Sequence, residues 1–359
     1  MPQRFFDLYP DLNAISLPEN PTVPKNFNRD WWSPSGEVRA YFDMREAFNA
    51  SGFDFTHPAN DNAARKLRRG YFAATSFTDH QFGRVLRQLE ESPFADTTIT
   101  LLWSDHGWHL GDTNSWAKVT NFETAARNVM LWKVPKSMIG SGAGHNSPLA
   151  LGRSTRIVEM VDLYPTLIEL AGLPSLPQCA RDQGPEDGHC LEGISYASAF
   201  GVGTGVPRDS AVHQWPYGTY LADACQAGTS GSSGRQIPCA VGVGGMPANA
   251  NCSTLGGNGG INGPHTAAEA AARLKHCPRT MAYAIRTSSW RYVVSVPYSG
   301  TRYMPLSWEE TAMDGEQLYN YENDPYESEN VAGNPANQKV IRELRATLEA
   351  RVPALDSAA

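Results

Sequence analysis

A chain of 359 residues with 41% hydrophobic and 10% aromatic content can bury a substantial core, enough for one large or two smaller domains. Its formal charge of −7 and pI near 5.7 exclude a dominant electrostatic attraction to nucleic acid or to anionic membranes, so an anionic substrate must be met by a local pocket. No apolar stretch is long enough to span a bilayer, and residues 1–30 lack the charged start and apolar run of a secretory signal.

The first sixty residues, with Pro18, Pro21, Pro24 and the pair Trp31-Trp32, show no sustained period and read as an irregular wrapping segment. From Asn62 to Glu91 the apolar positions Leu67, Tyr71, Ala74, Phe77, Val85 and Leu89 recur mostly at helical steps, predicting an amphipathic helix. Its basic run Arg65-Lys66-Leu67-Arg68-Arg69 is expected on the exposed face rather than as a polyanion patch. Thr97 to Trp103 (TTITLLW) has the form of a strand buried on both faces of a parallel sheet. Val129 to Val134 predicts another strand, and Ile157 to Leu170 a strand end followed by a helix entered through Pro165.

Between 217 and 278 the chain turns rich in Gly, Ser, Ala and Asn and reads as a cysteine-bearing insertion. Beyond it, Met281 to Arg286 and Trp290 to Val296 predict two strands joined by Thr287-Ser288-Ser289, with Gln317 to Tyr321 a third and Ala336 to Val352 a helix. The expected division is residues 1–205 as an α/β domain and 206–359 as a smaller α+β unit with an antiparallel sheet. The six cysteines, at 179, 190, 225, 239, 252 and 277, form no tight zinc-ribbon pairs and fit disulfides in an oxidising compartment. The tripeptides at Asn49 and Asn251 are glycosylation acceptors consistent with an exported protein.

The chemistry-bearing stretch is Ser104-Asp105-His106-Gly107-Trp108-His109-Leu110-Gly111-Asp112, directly after a predicted buried strand, where open α/β sheets bind ligands. Asp105 and His106 can converge on one ion only if the backbone turns, which Gly107 permits. Without a wider context such a pair most often caps the next helix, and Lys118 alone would be a solvated lysine. Asp105, His106, His109 and Asp112 can also be read as a zinc site, although Gly107 and Gly111 disfavour a regular helical His-x-x-His pair.

The context is supplied by FFDLYP (5–10), YFAATSFTDHQFGRVL (71–86), SDHGWHLGD (104–112), WAKVTNFE (116–123), VDLYPTLIELAGLP (161–174), YAIRTSSWRYVV (283–294) and GEQLYNYENDPYE (315–327). Together and in this order they resemble the sulfatases of the alkaline phosphatase superfamily, most closely the iduronate-2-sulfatase group. The resemblance implies a mixed sheet flanked by helices, incomplete at its amino end, with a small α+β carboxy-terminal subdomain. It implies Asp105 and His106 as ligands of a calcium ion, Lys118 as the catalytic residue facing the sulfate, and His109 and Arg127 as substrate-binding residues. It also implies a sulfated carbohydrate as substrate and a Cys179–Cys190 disulfide. The expected formylglycine nucleophile arises from a Cys-x-Pro-Ser-Arg motif, and none of the six cysteines has that context: Cys277-Pro278-Arg279-Thr280 has the wrong spacing. Catalytic incompleteness of this chain alone is therefore expected, with a non-catalytic carbohydrate- or partner-binding protein, or a phosphoester or phosphonate hydrolase, as alternatives.

Overall fold

A computed structural model describes residues 1–28, 31–32, 48–50, 52–139, 152–179, 189–203, 205, 208–215, 279–299, 304–309, 311 and 315–354. The Gly-rich insertion, its four cysteines and Asn251 lie outside these residues. Among them no helix is long and apolar enough to cross a membrane.

The amino-terminal segment is a strap over one long helix. Helix α1 (Gln3–Phe6) lies on α2 (Asp61–Glu90), with Phe5 and Phe77 edge to face at 5.3 Å. Asn60 caps α2 through its side-chain oxygen, which accepts from the Ala63 amide at 2.9 Å. The basic run departs from its expected role as a solvated face, since only Lys66 is exposed. Arg65 donates to the carbonyls of Asn13 and Ile15, Arg68 to the Leu110 carbonyl at 3.0 Å and Arg69 to that of Phe6 at 3.2 Å. A strap without regular structure leaves its carbonyls unpaired, and these guanidinium groups supply the donors.

Strand β1 (Thr100–Trp103) does not lie in a parallel sheet. After the excursion through β2 (His109–Leu110), β3 (Trp116–Ala117) and α3 (Glu123–Ala126), the chain returns beside it as β4 (Met130–Lys133). The pairing is antiparallel, Leu101 opposite Trp132. An apolar run signals burial but not strand direction, and here the burial is one-sided. Leu101, Met130 and Trp132 pack on α4 (Leu163–Leu170) and on Tyr196 and Phe200, whereas Trp103 and Leu131 remain 51% and 58% exposed. Pro165 sits in the first turn of α4, where a missing amide costs nothing. The Cys179–Cys190 disulfide expected from the resemblance is formed.

The carboxy-terminal sheet matches its prediction closely. Strands β5 (Ser210–Trp215), β6 (Arg279–Thr287), β7 (Trp290–Ser299) and β8 (Met304–Pro305) run in that order, and β9 (Gln317–Asn320) pairs with β7, all antiparallel. Strict alternation sorts its side chains. Tyr283, Ile285, Val294 and Val296 face α5 (Gln338–Arg351) and its Ile341, Leu344 and Leu348. The small residues Ala282 and Ala284, with Val293, face Trp31 and Phe27. Each large aliphatic side chain buried there contributes roughly 1.5–3 kcal/mol.

Arg286 and Arg291 occupy that second face as a directly opposed cross-strand pair, an arrangement that repels unless a counter-charge lies between them. Glu123, the first residue of α3, is that counter-charge: it accepts from Arg286 at 3.0 Å and from the buried Arg291. Arg291 also donates to the Asn121 carbonyl and to Tyr321 Oη at 2.8 Å and is ion-paired to Glu327 at 2.8 Å, and Glu327 in turn accepts the Glu123 amide at 2.9 Å. Two arginines and two glutamates thus neutralise one another at the junction. Removing one buried partner strands the others, so Arg291→Leu is expected to cost about 3–5 kcal/mol in urea unfolding. Lys339→Ala, at an ion pair whose lysine side chain is 80% exposed, should change stability by less than about 1 kcal/mol.

Candidate functional site

The site grows from the end of β1. Ser104 donates its amide to Val129 at 3.3 Å, the last link to the β4 side, and the chain then breaks away at Asp105. Gly107 was expected to supply a turn, but its φ is not positive. It is required instead by close approach: its amide donates to the Ala125 carbonyl at 2.8 Å, and an added Cβ would stand 2.0 Å from the Thr124 carbonyl oxygen. The Asp-His pair is thereby seated directly on α3. The left-handed turn falls at Gly111, with φ of 101°.

Asp105 and His106 form a local pair whose carboxylate is open to solvent. Asp105 accepts the His106 amide at 3.1 Å, and its side chain is 84% exposed. His106 Nδ1 lies 2.8 Å from the Gly107 carbonyl, which can only accept, so Nδ1 carries the proton and Nε2 a lone pair when the ring is neutral. Nε2 then faces Asp105 Oδ2 at 3.5 Å. Two electron-rich atoms at that separation can both ligate one cation at the ~2.3–2.6 Å typical of calcium. The backbone carbonyl that fixes the imidazole is the outer-shell partner such a ligand requires. The two donors fit calcium as part of its shell of about 6–8 ligands, the carboxylate better than the imidazole. Among the described residues no group of three or more His, Cys, Asp or Glu gathers around them. The four-residue zinc arrangement is therefore not formed: Asp105 and His106 stand apart from His109 and Asp112.

Lys118 follows β3, which pairs with β2 so that His109 lies opposite Ala117. The backbone on either side of the lysine is left-handed, with φ of 65° at Ala117 and 82° at the β-branched Val119. Conformations of this kind cost on the order of 1–3 kcal/mol each and persist only where surrounding contacts impose them. The Lys118 ammonium sits 5.8 Å from the centre of the Trp108 ring. Trp108 also stacks with His106 and with Tyr71 of α2, both at 6.3 Å. One indole thus joins the imidazole and the ammonium, although Trp108 and Tyr71 were not singled out in the sequence. The only signal was their position inside the quoted motifs.

The remaining predicted residues separate. His109, expected as a substrate-binding residue, is fully buried here, with its Nε2 2.7 Å from Thr120 Oγ1 and its ring edge on to Phe122. An imidazole between two short strands is simply covered by the loop that closes over it. Arg127 is exposed and ion-paired to Glu123 at 3.7 Å. It lines a shallow cleft with Asn20, Asp112, Thr124, Tyr326 and Glu327 rather than the Trp108 cluster.

Three comparisons with known proteins bear on this arrangement. Residues 36–173 match the family model described as Sulfatase. The chain is 35% identical over 195 residues to iduronate 2-sulfatase of Mus musculus, covering 50% of this chain and 34% of that protein. It is 30% identical over 171 residues to choline-sulfatase of Rhizobium meliloti, covering 48% and 28% respectively. Among solved structures it resembles a phosphonate monoester hydrolase from Silicibacter pomeroyi, with a TM-score of 0.52 and 18% identity over 95% of this chain and 51% of that one. A 2-O GAG sulfatase gives a TM-score of 0.52 and 17% identity over 93% and 51%. These two show a shared fold. The chain spans about a third of the length of the curated relatives it matches.

Burial governs the ionisation of the groups beneath the site. Glu327, wholly enclosed, is pushed upward, whereas for Glu123 the charge of Arg291 and the bonds from Arg286 outweigh burial and hold the carboxyl below its ordinary value. Desolvation pushes His109 down to about 4, and with Arg291 it pushes His213 down to about 3. Both rings are neutral when folded, while in the unfolded chain they protonate near pH 6.5. The unfolded state therefore binds more protons as pH falls through that value, and stability is lost downward from about pH 6.5 until the folded values are reached. Between pH 6.5 and 5 His109 alone should remove about 1.5 kcal/mol. Thermal melts across this window should show a falling transition temperature, with a shallower slope in His109→Phe; equal slopes would contradict the assignment.

Proposed function

We propose that the chain is a member of the sulfatase family, whose model matches residues 36–173, and that it serves the hydrolysis of sulfate esters on a carbohydrate. Asp105 and His106 act as two ligands of a calcium ion, and Lys118 faces the sulfate. The observation that carries this reading is the cluster on Trp108, where the imidazole of the candidate metal pair and the Lys118 ammonium pack on one indole. The choice of a carbohydrate rests on the iduronate 2-sulfatase relatives.

A bound calcium would offset the negative charge of the sulfate. The chain's own part is to hold donors and a cation in fixed relation. The Gly107 carbonyl keeps the His106 Nε2 lone pair turned outward, and the π face of Trp108 favours an ammonium beside it. As an ester bond breaks, charge develops on the bridging oxygen, and an ammonium held there stabilises it more in the transition state than in the ground state. The 359 residues contain no Cys-x-Pro-Ser-Arg motif, so this chain alone supplies binding and charge stabilisation without the nucleophile. The Cys179–Cys190 disulfide supports an oxidising compartment.

Calorimetric titration tests the reading. Calcium binding should be lost in Asp105→Ala and weakened in His106→Ala. A 2-O-sulfated uronate should bind the calcium-loaded chain about tenfold or more weakly in Lys118→Ala, equivalent to about 1.4 kcal/mol. Turnover of an aryl sulfate by the chain alone should be negligible. Identical affinities in the three variants and the native chain would reject the assignment.

A further inference from the structure

His109 leaves a question that its burial alone does not answer. It is a polar side chain in an apolar setting, and an apolar residue would fill the same space without a desolvation cost. Its two attachments supply a reason. Its backbone pairs with Ala117, immediately before Lys118, and its Nε2 bonds Thr120 Oγ1 at 2.7 Å, two residues after it. One residue therefore grips both ends of the segment that carries the lysine. Thr120 Oγ1 also accepts the Phe122 amide at 3.3 Å, which carries the grip on to the N-cap residue of α3.

We propose that His109 is a positioning residue for Lys118, clamping Ala117 through the strand pair and Thr120 through its imidazole so that the ammonium stays over Trp108. The left-handed φ values at Ala117 and Val119 mark a strained segment between the two anchors. If Thr120 were released, the nearest relief would be rotation at Val119, which swings the Lys118 side chain away from the indole. The clamp reaches the sulfate only through the lysine, so its importance for substrate rests on the reading above, while the clamp itself does not.

The experiment reads the lysine directly in the full chain. Reductive methylation with ¹³C-formaldehyde gives each lysine a resonance, and that of Lys118, assigned by its loss in Lys118→Arg, should be displaced by the ring current of Trp108. Lys339, whose side chain is 80% exposed, serves as the undisplaced reference. Thr120→Val removes one hydroxyl at nearly constant volume and should move the Lys118 signal to the reference position. Thr120→Ser, which restores the hydroxyl, should bring it back. His109→Phe, which keeps a ring against Phe122, should act as Thr120→Val does. Retention of the displaced signal in folded Thr120→Val and His109→Phe overturns the proposal. Added inorganic sulfate with calcium separates the two readings: a wild-type signal that ignores sulfate while Thr120→Val still shifts it counts against the sulfate contact and leaves the clamp standing.

Discussion

Everything about this site hangs on the neutralisation of Arg291. The residue is buried in the centre of the carboxy-terminal sheet and stands directly across from Arg286, so the sheet cannot close without carboxylates brought to that face. One comes from Glu327 on the turn after β9 and the other from Glu123 at the start of α3. Because Glu123 closely follows Lys118 and α3 is what Gly107 rests on, the charge balance of one sheet also fixes the loop of another. A site assembled from short strands and a four-residue helix has little cooperativity of its own. The buried ion network supplies the rigidity those elements lack.

The same logic explains where strain is tolerated. Thr113, Asn114, Ala117 and Val119 all adopt left-handed backbone, unusual for residues other than glycine, and all lie between β2 and α3. Each is held from outside the loop or across it. Thr113 donates to the Asn20 carbonyl at 2.7 Å and Asn114 to the Asp54 carbonyl at 2.8 Å, while Ala117 and Val119 sit within the His109–Thr120 span. The irregular amino-terminal strap is thus a partner that the site loop needs, and the arginines of α2 hold the strap in place through Asn13, Ser16 and Phe6.

What the sequence made legible follows from how local each signal is. The long helix, the carboxy-terminal hairpin and the last helix were readable because period and turn chemistry are written within a few residues. The contact of Asp105 with His106 was readable because the two residues are adjacent. The direction of β1 was not, because an apolar run records burial and says nothing of its partner's polarity. Arg286 and Arg291 were visible inside the motif YAIRTSSWRYVV, but their role depends on Glu123, which is remote in sequence. The burial of His109 was hidden for a related reason: it depends on pairing with Ala117 and Thr120 across the loop.

The site therefore runs from a rigid base to an open rim. His109 and Arg291 are enclosed, the first bonded through Nε2 to Thr120 with its Nδ1 unpaired and the second held by carboxylates, Trp108 is half-buried, and Asp105 projects into solvent with His106 as its contact. In water an exposed carboxylate keeps its rotamer freedom, and ordering it costs up to about 2 kcal/mol of side-chain entropy. On the proposed reading, a cation would have to meet that cost for Asp105 but not for His106, whose ring is already held by the Gly107 carbonyl and stacked on Trp108. Were the pair to bind a hard ion, the imidazole, the less usual ligand, would be the pre-organised one, and the carboxylate with the better chemistry the more exposed one. Affinity in such a pair depends on the fixed base beneath it, because only a held His106 lets the single flexible donor close on the ion without a second ordering step.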